Sequence, residues 1–190
     1  MQKPQGYDET VVTTTYEPIT IGGHYLIILG AKQETLNGYE VLTVQFDTHQ
    51  TDHQPSYYQA DYKRRIAQYP DSKYQGVHRL FLPTGDPNSD TYKWANQRLK
   101  GFITSVEDSN SGYKFTWDEK TLKGKSVGGV FGNEEYLAQD GTVKMATRLR
   151  YYVGNESVPT AKAPKVKELK TKPAPIPGYS EDDTALPFQL

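Results

Sequence analysis

Apolar and polar positions alternate most regularly between His24 and Asp47, where "HYLIILGAKQ" and "YEVLTVQFD" flank the pair Asn37-Gly38. Strand-forming runs on either side of Asn-Gly predict two antiparallel strands joined by a tight turn. In the second arm Val41, Thr43, Gln45 and Asp47 alternate with Leu42, Val44 and Phe46, so one face turns to a core and the other to solvent. The period changes further on: Ala95, Leu99, Phe102, Ile103 and Val106 fall at the spacing of one helical stripe, with Asp90 or Thr91 placed to cap its start. Gly101 inside that stripe suggests close packing of the helix on a sheet. Strand signals resume at "YKFTWD", "KSVGGVFG" and "GTVKMATRLRYYVG", bringing the expected strands to five. The paired Gly128 and Gly129 predict a bulge or sharp bend.

Strands, one helix, then more strands is the order of a mainly β chain, expected as an OB-fold-like five-stranded antiparallel barrel with the helix between the early and late strands. A β-sandwich or another α+β layering gives a similar pattern. The domain is expected to span residues 1–158, with a long polar insertion at about 48–80 that carries a weak helical signal from Tyr57 to Tyr69. From Pro159 onward prolines interleave with Lys162, Lys165, Lys167, Lys170 and Lys172, a composition too poor in apolar area to offset the entropy of ordering. Residues 159–190 are therefore expected to form a disordered tail.

Charge and composition narrow the function classes. The chain of 190 residues has 22 Lys plus Arg against 23 Asp plus Glu, so a nucleic-acid surface requires local clustering of cations. Zero cysteines exclude disulfide scaffolds, thiolate metal sites and thiol nucleophiles. The polar start "MQKPQGYDET" lacks a signal-peptide core, and no segment has the roughly 20 apolar residues of a membrane span, so a soluble, cytoplasmic protein is expected. Fifteen tyrosines supply large flat rings with a polar handle, suited to half-buried strands and to contact surfaces.

Catalytic signals are thin. "DTHQTDH", Asp47 to His53, gathers two carboxylates and two imidazoles that could bind a metal, but its spacing does not fit the His-x-His-x-Asp-His arrangement, the chain has no His-Glu-x-x-His pair, and Glu134 and Glu135 are adjacent rather than on one face. A phosphate loop and a nucleophile elbow are both absent. No catalytic residue, metal or cofactor is expected, and a metal-dependent nuclease built on Asp47–His53 ranks last among the readings.

Binding signals are stronger. From Tyr57 to Gly101 the cations Lys63, Arg64, Arg65, Lys73, Arg79, Lys93, Arg98 and Lys100 outnumber four aspartates, whereas Gln2 to Ser56 holds two cations and seven acids. Tyr57, Tyr58, Tyr62, Tyr69, Tyr74, Tyr92 and Trp94 interleave with those cations. Single-stranded nucleic acid is held by this mixture, because cations follow phosphates while rings stack on unpaired bases at roughly 1–3 kcal/mol each. On the last strand Lys144, Arg148 and Arg150 share parity and are expected on one face, followed by Tyr151. The expected phosphate contacts are Lys63, Arg64, Arg65, Lys93, Arg98, Arg148 and Arg150, and the expected stacking residues are Tyr57, Tyr58, Tyr62, Trp94 and Tyr151.

The chain closes on "SEDDTALPFQL", where Glu181, Asp182 and Asp183 precede an apolar tip of Leu186, Pro187 and Phe188. A barrel-like domain followed by a Pro-rich tether, an acidic cluster and a Pro-Phe tip resembles the single-stranded DNA-binding proteins of bacteria and their phages. The resemblance implies a non-enzymatic protein that coats single-stranded DNA in replication or recombination, in the bacterial host cytoplasm if of phage origin. It also implies recruitment of replication or recombination proteins through the tail. Gln189 and Leu190 depart from the family, whose tip ends on the phenylalanine. Oligomeric state is left open. The alternative of another class is a protein-binding adaptor that uses the tyrosine-rich face to dock a partner.

Overall fold

A computed structural model describes residues 17–138 and 140–170. The long hairpin forms on either side of Asn37-Gly38, with β1 at Gly22–Leu36 and β2 at Tyr39–Thr48, but the β2 face expected in solvent is largely covered, since Val41, Thr43 and Asp47 are buried and only Gln45 of that set is exposed. Asn37 and Gly38 take positive φ of 51° and 81°, as a type I′ turn requires. A bulge in β1 between Ile28 and Gly30 bends the hairpin part-way along. The connection after β2 holds a helix, α1 (Tyr57–Gln68), and then β3 (Val77–Phe81), which pairs with Val41–Gln45 of β2. The helix α2 (Asp90–Ser109) lies between β3 and the late strands β4 (Ser126–Leu137) and β5 (Val143–Val153). The pairings among these five strands are antiparallel in the order β3-β2-β1-β4-β5. That order, with α2 between β3 and β4, is the expected OB-like arrangement. Among the described residues no helix is long and apolar enough to cross a membrane.

The interior is filled from the strands by Leu26, Ile28, Leu42, Val44, Phe46, Val127 and Phe131, and from α2 by Leu99, Phe102 and Val106. The α2 stripe is the expected one, with Ile103 half-buried at its margin. Its N-cap is Ser89 rather than Asp90 or Thr91, because the Ser89 hydroxyl accepts the Tyr92 N–H at 3.2 Å. Gly101 is exposed, and a Cβ there would meet nothing within 4 Å, so it marks no close packing on the sheet.

Three further expectations need correction. "YKFTWD" is not a strand. Tyr113 and Phe115 pack on the core and the Phe115 N–H donates to Glu107 Oε1 at 2.9 Å, so alternating aromatics anchor a loop there. The strand that completes the sheet is β3, inside the expected insertion. Gly128 and Gly129 carry no bulge in β4. They make room instead: a Cβ on Gly128 would lie 2.6 Å from Val158 Cγ2, and one on Gly129 2.5 Å from Leu26 Cδ1. The β4–β5 bulge falls between Val130 and Phe131, opposite Tyr151 and Leu149, and leaves Arg150 as the extra residue. Arg148, opposite Gly132, and Tyr151, opposite Val130, thereby share a face, and the Arg150 side chain lies on that face too, its Cγ 3.4 Å from where a Cβ on Gly132 would stand.

The first part of the expected tail is placed against β4. A short 3-10 helix at Asn155–Thr160 buries Val158 over Gly23 and Gly128, and Pro164 sits where a Cβ on Gly132 would lie 2.4 Å from its Cγ. Further along, Lys167 pairs with β4 beyond the reach of β1, its N–H donating to Asn133 O at 3.0 Å and its carbonyl accepting the Glu135 N–H at 2.9 Å. Glycines on the outer face of β4 thus supply the surface that a proline-lysine segment cannot supply for itself.

Candidate nucleic-acid interface

The first and last strands of the sheet, β3 and β5, face one another without a backbone ladder among the described pairings. Side chains span the gap. The Tyr152 hydroxyl lies 3.1 Å from His78 Nδ1, and Arg98 Nη2 on α2 donates to the Arg150 carbonyl at 2.8 Å. Burial, with help from the positive charge of Arg98, pushes the His78 imidazole down to about 4, and burial pushes the Tyr152 hydroxyl well above its usual range. At neutral pH an uncharged ring and an un-ionised phenol therefore bridge the seam.

Clefts open on both sides of this bridge. One, of about 550 Å³, is lined by Tyr58, Tyr74, Val77, His78 and Arg79 on one bank and by Tyr136, Thr147, Arg148 and Leu149 on the other. Arg148 lies over the Tyr136 ring at 5.8 Å, with no carboxylate in ion-pair distance among the described residues. Arg79 on the opposite bank feels the charge of Glu34. The Tyr74 hydroxyl donates to Phe46 O at 2.9 Å, and burial together with the Asp47 charge raises its ionisation far above the usual range. The second cleft, of about 290 Å³, is lined by Leu80, Trp94, Arg98, Phe102, Tyr151 and Tyr152. In it Arg98 lies over the half-exposed Trp94 ring at 5.3 Å.

The seam thus brings together four of the expected contacts: Arg148 in the first cleft, and Trp94, Arg98 and Tyr151 in the second. Lys93 is exposed beside Trp94. Tyr58 lines the first cleft but is only 8% exposed and packs edge-on against Phe46, which leaves little ring face for a base. Tyr57 packs on the core. Tyr62, Lys63, Arg64 and Arg65 lie on α1 and line neither cleft. Asp61 holds Arg64 Nη2 at 2.8 Å and Arg65 Nε at 2.7 Å, so these two cations are partly neutralised. Arg150 is turned to the Asn133 carbonyl. Glu181, Asp182, Asp183, Leu186, Pro187 and Phe188 lie outside the described residues. Tyr74, Arg79 and Tyr136 were not singled out as contacts from the sequence. The signal that finds them is the pairing of Val77–Phe81 with β2, which puts Arg79 and the Tyr74 loop on one bank of the seam.

The carboxylates and imidazoles of "DTHQTDH" separate. Asp47 is buried at the start of α1, where its oxygens accept the N–H groups of Thr48 and Tyr58 at 2.8 Å and of Gln59 at 3.1 Å. Burial raises its carboxyl more than these hydrogen bonds lower it. His49 contacts Thr51. Asp52 and His53 turn instead toward His24, buried on β1. Burial alone would raise the Asp52 carboxyl, but hydrogen bonds from His24, Gln54 and Tyr25 outweigh it and hold Asp52 below the usual carboxylate range.

No protein-family model matches the chain, and no curated protein matches it with significance.

Proposed function

We propose that this protein binds single-stranded DNA with little sequence preference, coating transient strands in replication or recombination, as a binding protein rather than a catalyst. The carrying observation is the seam between β3 and β5, where Arg79 and Arg148 on opposite banks stand among Tyr74 and Tyr136, and Trp94, Arg98 and Tyr151 continue the same mixture. Cations on both banks suit a backbone that passes between them, and exposed rings suit unpaired bases whatever their identity. The acidic residues Glu181–Asp183 and the tip beyond them would serve to recruit partners.

The test is titration of the full chain with oligo-dT at several salt concentrations. Affinity falls with salt along a log-log slope of roughly −0.7 per phosphate contact, and Arg148→Ala lowers that slope by about one contact. Binding that is absent, or indifferent to salt and to Arg148, refutes the reading.

A second reading, the protein-binding adaptor, is favoured by one separate observation. Tyr39, Phe81, Tyr92 and Trp94 line an apolar groove of about 530 Å³ at the start of α2, with Tyr39 packed edge-on against Phe81. Retention of a protein partner that is lost on Phe81→Ala, with no retention on single-stranded DNA cellulose, selects that reading.

A further inference from the structure

At the start of β1 a hydrogen-bond chain joins two imidazoles. The Thr20 hydroxyl faces Gln54 Oε1 at 3.2 Å, an atom that only accepts and that also takes the Thr20 N–H at 2.9 Å. With the hydroxyl proton on Gln54 Oε1, the same oxygen is open to an N–H from His53 Nε2 at 2.8 Å and from His24 Nε2 at 3.1 Å. His24 Nε2 also lies 3.0 Å from the Thr20 carbonyl. Metal binding needs a lone pair on each Nδ1, and the Thr20 oxygens beside both Nε2 atoms suit the tautomer that leaves one, the ion then replacing the proton that His24 Nδ1 otherwise shares with Asp52. Both Nδ1 atoms point at one carboxylate oxygen: Asp52 Oδ1 is 3.0 Å from His24 Nδ1 and 3.5 Å from His53 Nδ1. Three atoms that can ligate a metal thus converge.

We propose that His24, Asp52 and His53 form a site for a divalent transition-metal cation, Zn²⁺ by its ligand chemistry. Tetrahedral zinc with bonds of about 2.0–2.1 Å sets its ligand atoms about 3.3 Å apart, and the two separations from Asp52 Oδ1 bracket that value. One ligating atom of each residue lies within 4.8 Å of the others. The outer contacts are those such ligands need. Each His presents its second nitrogen to an oxygen of Thr20, and Asp52 Oδ2 is held by the Tyr25 N–H at 2.7 Å. His24 and Asp52 have fully buried side chains, while that of His53 is 56% exposed, which gives the ion a way in and leaves room for water as a fourth ligand. The set of two nitrogens and one oxygen selects zinc over calcium or magnesium. The ion would clamp the start of β1 to the loop that leads into α1, and nothing in this site depends on nucleic-acid binding.

The test uses the full chain, stripped with a chelator and dialysed. Zn²⁺ alone raises Tm and saturates at one ion per chain, and Co²⁺ alone gives the visible d–d bands of a tetrahedral site. Losing an outer contact of a metal ligand costs about 10–100-fold in affinity, so His53→Ala, at a side chain whose exposure spares the fold, weakens Zn²⁺ binding at least as much. His49→Ala leaves it unchanged. A Tm indifferent to Zn²⁺, unaltered Zn²⁺ affinity in His53→Ala, or loss of binding in His49→Ala overturns the proposal.

Discussion

The bridge across the seam makes a sharp prediction for pH. His78 is held neutral in the folded protein, with its proton affinity pushed down to about 4 from the ordinary 6.5, first by burial and then by Arg98. The unfolded chain takes up this proton near pH 6.5, whereas the folded chain resists it until about pH 4. Above pH 6.5 neither state is charged at this residue and stability is complete. As pH falls through the window from 6.5 to 4 the unfolded state alone is stabilised, so the contribution is lost. The difference of about 2.5 pH units corresponds to about 3 kcal/mol at roughly 1.36 kcal/mol per unit. That is a large share of the roughly 5–15 kcal/mol that stabilises a typical domain. The perturbation is His78→Phe, which keeps a flat ring in the cleft but cannot titrate. It gives up the contact with the Tyr152 hydroxyl, at about 1 kcal/mol for a hydrogen bond, plus whatever that hydroxyl loses if left dry. Urea unfolding of both proteins from pH 8 to pH 4 gives the difference in stability, in which every other titrating group cancels. Wild type leads above pH 7, and its lead shrinks by about 3 kcal/mol toward pH 4. A difference that stays constant over this range refutes the burial argument.

Other expectations follow from single contacts. Gly128→Ala would set a Cβ 2.6 Å from Val158 and 2.8 Å from Val153, so it costs about 1–3 kcal/mol by overpacking and exposes the segment after β5 to proteases, both measurable by denaturation and limited proteolysis. Asp47→Ala leaves three N–H groups at the start of α1 without their acceptor and costs about 1–3 kcal/mol, with a loss of helical circular dichroism. Phe102→Ala empties the space between α2 and Tyr152 and costs about 3–5 kcal/mol in the same denaturation assay. Trp94→Ala weakens oligo-dT binding by about 1–3 kcal/mol if its half-exposed ring carries a base, without a matching loss of Tm.

What could be read from the sequence was whatever a short window of residues decides. The β1–β2 hairpin and the α2 stripe rest on a turn and a period that each lie within about 20 residues, and both formed as the pattern required. Val77–Phe81 carries no such signal. Five residues with His and Arg at the second and third positions become a strand because β2 offers them a partner edge more than thirty residues away. "YKFTWD" carries a better local signal, yet Tyr113 and Phe115 pack on the core from a loop. The stretch after Val158 misled in the opposite direction: its composition cannot build a core, yet Gly23, Gly128 and Gly132 prepare a surface for Val158 and Pro164 elsewhere in the chain. The contacts divide in the same way. Arg148, Trp94, Arg98 and Tyr151 could be singled out individually, but the rings and cations that oppose them across the seam follow only from how the sheet curls.

That curl explains why there is a cleft at all. A barrel closed by a continuous ladder would satisfy the backbone of β3 and β5 and leave no space between them. Here one extra residue in β5 prevents it. Arg150 interrupts the alternation, its carbonyl turns to Arg98 on α2, and its guanidinium reaches Asn133. The edge that a ladder would have used is spanned by Arg98 and by the His78–Tyr152 pair instead. On this reading the bulge keeps the seam open, and it sets Arg148 on the face of Tyr151. Deleting Arg150 would restore the alternation and remove the carbonyl that Arg98 holds. On this argument the shortened strand zips further toward β3, the protein gains resistance to urea, and the clefts narrow, with oligo-dT affinity falling as stability rises. A deletion variant that loses stability and binding together would show that the bulge supports the fold and not the opening.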